Sequence, residues 1–126
     1  MNMIEKLSEV SQLLLDLHKE LLEYEKLQYE GLYGRIAGAN DYFSIVTKHP
    51  AFQWLRTLSE LIVVFDEFAQ DESVTDEKIK ELLQYTKKLL TPLENGDQFS
   101  AKYFVAIQNQ PAIAVAHGKV MQGLKD

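Results

Sequence analysis

At 126 residues, with a formal net charge of −6 and no cysteine, the chain has the size of one domain that buries a core without disulfides or a structural metal. The missing cysteine excludes disulfide scaffolds, thiol enzymes, cysteine-ligated zinc fingers and iron–sulfur proteins. Charge runs −4 over residues 1–30, +2 over 31–59, −6 over 60–81 and +2 over 82–126, and Lys87-Lys88 is the single adjacent basic pair, so a nucleic-acid partner is not expected.

The first predicted element is a long helix. Met3, Leu7, Val10, Leu14, Leu17, Leu21 and Tyr24 recur at steps of four and three, the seam a helix presents to bundle partners. Asn2 is placed to cap it, and Gly31, Gly34 and Gly38 predict its end near Tyr29 or Glu30, after roughly 40 Å. The charged start Met1-Asn2-Met3-Ile4-Glu5-Lys6 does not read as an export signal, and the apolar run Leu61–Phe65 is far short of the ~20 residues a membrane span needs. The expectation is a soluble, cytoplasmic protein with no membrane partner.

A short second helix is expected through Lys48, capped by Asn40 or Asp41 and burying Tyr42, Phe43, Ile45 and Val46. Pro50 ends it and opens a third helix. There Ala51, Leu55, Leu58, Ile62, Phe65 and Ala69 form a stripe flanked by Trp54, Leu61 and Phe68, an arc wide enough for the central helix of a bundle. Thr75 starts a fourth helix with Ile79, Leu82, Leu83, Thr86, Leu89 and Leu90 inward, which stops at Pro92-Leu93-Glu94-Asn95-Gly96. Two apolar patches follow, Phe99/Tyr103/Phe104/Ile107 and Ile113/Val115/Ala116/Val120/Leu124. Pro111 lies between them and divides the segment into two helices. No repeat or linker interrupts residues 1–126, so the expected fold is one all-α domain, an up-and-down bundle of four main helices plus short ones.

Motifs that would carry chemistry are sparse. Bundle di-metal sites use Glu-x-x-His pairs, and Leu15, Val46 and Ala114 stand three residues before His18, His49 and His117. All-α magnesium-dependent nucleotide hydrolases use acidic pairs at helical spacing, but Glu20 and Glu23 read as a solvated face and Glu94 to Asp97 falls in a turn. The glycines at Gly31, Gly34 and Gly38 match no phosphate-loop spacing, and no Gly-x-Ser-x-Gly is present. Neither a metal, a cofactor nor a catalytic residue is predicted.

The most distinctive segment runs from His49-Pro50-Ala51-Phe52-Gln53-Trp54 through Leu61-Ile62-Val63-Val64-Phe65-Asp66-Glu67. With the preceding Tyr33-Gly34-Arg35, it resembles small uncharacterised bacterial helical-bundle proteins; the resemblance implies a helical fold and a bacterial origin and brings no activity with it. The polar residues along this helix merit separate notice. Ser59 and Asp66 lie seven apart at the edge of the stripe, and Arg35 and Arg56 are the only arginines. Asp66 is expected to be partly buried and paired with one of them. Arg35, Arg56, Ser59 and Asp66 are then either an ion pair pinning the glycine-containing loop or a polar pocket for a small anion. The leucines Leu13, Leu15, Leu22 and Leu27 lie off the first seam. They favour a non-enzymatic protein that binds another protein chain, most simply as a homo-oligomer, with small-ligand binding or an undetected reaction around Arg35, Arg56 and Asp66 as the alternative.

Overall fold

A computed structural model describes residues 2–125. Asn2 opens α1 (Met3–Tyr33) by accepting the Glu5 backbone N–H on its side-chain oxygen at 2.8 Å. The helix runs through Gly31, three to four residues past its expected end, and is about 45 Å long. Tertiary packing accounts for the extension. The Tyr29 ring lies 5.0 Å from His49 and 6.3 Å from Phe52, and the Tyr33 ring 5.5 Å from His49, contacts that outweigh the ~1 kcal/mol a glycine costs inside a helix. Gly34 then stops the helix at φ 94° and ψ 171°, a conformation open to glycine, and its N–H bonds the Glu30 carbonyl at 2.9 Å.

Helix α2 (Ala39–Lys48) follows extended Gly38 and has no side-chain cap, against the expectation for Asn40 or Asp41. Asp41 in its first turn and Lys48 in its last each suit the helix dipole. Tyr42, Ile45 and Val46 are half-buried, whereas Phe43, one position round the helix, is exposed and not part of the buried side. The third predicted helix divides in two. Pro50–Leu55 forms a 3₁₀ segment, with the Ala51 N–H bound to His49 Nδ1 at 3.1 Å, and α3 (Arg56–Gln70) begins only after it.

Thr75 caps α4 (Asp76–Leu89) as predicted, accepting the Lys78 N–H at 3.2 Å; Ile79, Leu82, Leu83 and Thr86 are buried. The Thr86 hydroxyl donates to the Leu82 carbonyl at 2.8 Å, so the buried polar atom is satisfied inside its own helix. Asp97 caps α5 (Gln98–Asn109) through the Ser100 N–H at 2.9 Å, and Pro111 opens α6 (Pro111–Gly123). Two helices therefore stand where the proline predicted a division.

The chain is an all-α helical bundle, and among the described residues there is no strand. Helix α1, not the third helix, is the centre: it packs on α3, α4, α6 and the 3₁₀ segment. Its seam, Leu7, Val10, Leu14, Leu17 and Leu21, is buried together with Leu58, Phe65, Ile79, Tyr103, Ile113 and Val120. Helix α3 runs antiparallel to α1, since Trp54 meets Glu25 while Ser59 meets His18. So does α6, since Asn109 reaches Tyr24 and Gly123 lies against Leu13. Among the described residues no helix is long and apolar enough to cross a membrane.

Candidate functional site

The antiparallel pairing of α1 and α3 brings His18 opposite Ser59, forty-one positions apart in sequence, with the imidazole Nε2 2.8 Å from the serine Oγ. The Ser59 hydroxyl also lies 3.2 Å from the Leu55 carbonyl, and its one proton goes to that oxygen or to the ring nitrogen according to the imidazole tautomer. Burial lowers the His18 pKa from its ordinary 6.5, which keeps the ring neutral at physiological pH.

This pair sits in a cavity of about 190 Å³ where α1, α2, the 3₁₀ segment and α3 meet. Leu22, Val46, Phe52 and Leu55 supply apolar walls; His18, Thr47, Gln53, Arg56 and Ser59 supply the polar ones. Two of the four residues singled out in the sequence, Arg56 and Ser59, thus share one cavity. Arg35 lies apart, in a crevice of about 350 Å³ with Tyr29, Tyr33, Asp41 and Ser44 between the end of α1 and α2.

Asp66 joins neither. It is exposed on α3, and ten residues of helix separate it from Arg56, about 15 Å along the axis and beyond the reach of an ion pair. The expected burial of Asp66 and its pairing with an arginine are therefore corrected. Helix α3 runs away from the glycine-containing loop, so its carboxylate cannot tie that loop down. Glu30 does so instead, its carboxylate accepting the Ile36 N–H at 2.9 Å.

Two further polar contacts carry no local sequence signal. Trp54, 3 % exposed, donates its indole N–H to Glu25 Oε1 at 3.0 Å. Burial raises the Glu25 pKa from its ordinary 4.5, against the Trp54 hydrogen bond and the charge of Lys102, which both lower it. Farther along the same aromatic layer, Trp54 packs on Phe99, Phe99 stacks on Tyr103, and the Tyr103 hydroxyl lies 2.7 Å from His117 Nδ1. Burial raises the Tyr103 pKa strongly and lowers that of His117, so both stay neutral. Among the described residues no three His, Asp or Glu side chains converge as a metal ion would require. No protein-family model matches this sequence, and neither a curated protein nor a solved structure matches it.

Proposed function

We propose that this protein works by association, as a non-enzymatic cytosolic bundle whose partner is a second copy of itself. The observation that carries the reading is the far end of α1. Leu32, Phe43 and Tyr33, at 78 %, 71 % and 63 %, are the most exposed large apolar side chains among the described residues, and all three belong to the last turn of α1 or to α2. Helix α2 buries no residue fully, so the bundle leaves this end poorly covered.

Charge supports a like partner. Arg35 and Asp41 line one crevice, and a patch bearing both signs is self-complementary about a two-fold axis, each arginine facing the other copy's aspartate. Sedimentation velocity tests this at micromolar concentrations. The wild type is expected as a dimer, Leu32→Ser with Phe43→Ser as a monomer, and Arg35→Asp as weakened with recovery on adding Asp41→Arg. A monomeric wild type, or a dimer indifferent to these exposed positions, overturns the proposal.

A further inference from the structure

The cavity around Arg56 has a composition that packing alone does not require. Two donors in its polar lining lack strong partners. Arg56 offers a guanidinium, Gln53 holds its amide in only long contacts, 3.4 Å to the Thr47 carbonyl and 3.5 Å to the His49 carbonyl, and Arg56 is the only formally charged residue in the lining. The Thr47 hydroxyl donates to a backbone carbonyl, and Ser59 and neutral His18 are bonded to each other. No carboxylate lines the space. One positive charge and a loose amide therefore face a void walled on its other sides by Leu22, Val46, Phe52 and Leu55.

We propose that this cavity is a binding site for a small organic carboxylate with an apolar body. Arg56 takes the carboxylate in its two-donor fork, the Gln53 amide turns from its weak backbone contacts to add a donor, and the four apolar side chains enclose the hydrocarbon. Composition sets the class: one cationic donor beside four apolar side chains suits a carboxylate carried on a ring or branched chain. An inorganic anion would leave the apolar walls without a partner. The site stands independently of the association proposed above, since neither Leu32 nor Phe43 lines it.

The test uses benzoate and its neutral isostere benzamide, followed by amide chemical shifts on the full chain carrying Leu32→Ser and Phe43→Ser, so that any change of oligomeric state does not enter. Benzoate in the millimolar range is expected to shift His18, Leu22, Val46 and residues 52–59, with benzamide weaker by about tenfold or more, the worth of one charge-assisted contact. Arg56→Gln, at an exposed position that the fold does not need, is expected to abolish the difference between the two probes, and Arg56→Lys to retain part of it. Equal binding of benzamide, shifts centred on Arg35 instead, inorganic phosphate binding as well as benzoate, or no saturable shift at all overturns the proposal.

Discussion

Replacing Glu25 by alanine would strand the indole N–H of Trp54, a group 3 % exposed whose partner is the Glu25 carboxylate at 3.0 Å. A buried donor left without an acceptor costs about 1–3 kcal/mol, and the half-buried setting of Glu25 places the expectation near the middle, about 2 kcal/mol. Glu25→Gln keeps an acceptor oxygen and removes a carboxylate whose charge burial disfavours, so its cost should stay under about 1 kcal/mol. Trp54 is the only tryptophan, so its emission follows unfolding with no second indole to mask it. With a urea m value of about 2 kcal/mol/M, the alanine variant should lower the unfolding midpoint by about 1 M and the glutamine variant by less than half of that. A second readout follows from the carboxyl itself. Native Trp54 fluorescence should step with pH above the ordinary 4.5 of glutamate, and Glu25→Gln should abolish the step. Equal losses from the two substitutions, or no loss from alanine, would refute the reasoning.

Two further expectations concern backbone and protons. Gly31→Ala, inside α1 with open space where its Cβ would lie, should raise stability by about 0.5–1 kcal/mol, whereas Gly34→Ala, at φ 94°, should lower it by about 2 kcal/mol; urea midpoints distinguish them, and like signs would contradict the helix end described here. Burial lowers the pKa values of His18 and His117, so the unfolded chain takes up protons first as pH falls through 6.5. Stability should therefore decline from about pH 7 towards about pH 5, less steeply in His18→Gln and in His117→Gln, with the raised Glu25 restoring part of it as that carboxyl protonates; a flat profile or an opposite slope would contradict the burial of both rings.

Features written in short stretches of sequence were legible. The spacing of Leu7, Val10, Leu14, Leu17 and Leu21 marks a buried seam, Thr75 marks a helix start, and Pro111 marks a division, because each acts within a turn or two of itself. Gly31 misled for the opposite reason: the rings that carry the helix past it come from His49 and Phe52, outside any local window. The 3₁₀ segment was equally hidden. Phe52 and Leu55, three apart and both buried, satisfy a repeat of 3.0 as well as one of 3.6 over six residues. Of the candidate site, the polarity of Arg56 and Ser59 stood out from their apolar stripe, but His18 and Glu25 gain their meaning only from residues forty-one and twenty-nine positions away. Asp66 looked like a core-edge group by spacing, and the direction in which α3 travels removes it from both arginines.

The packing of α1 against α6 bears on how the chain reaches its fold. Of the described helices, the earliest in chain order has the latest as a principal neighbour, and the Leu13 side chain fills the space beside Gly123. Contacts across so long a separation raise the contact order and slow the search for the native state, even in a protein whose elements are all local helices. While the chain is still growing, the buried seam of α1 has α3 and α4 to shelter it but lacks α6, leaving Val10 and its neighbours open on one side. Until α6 is made, such a bundle is a partly closed intermediate with apolar surface in reach of chaperones and proteases.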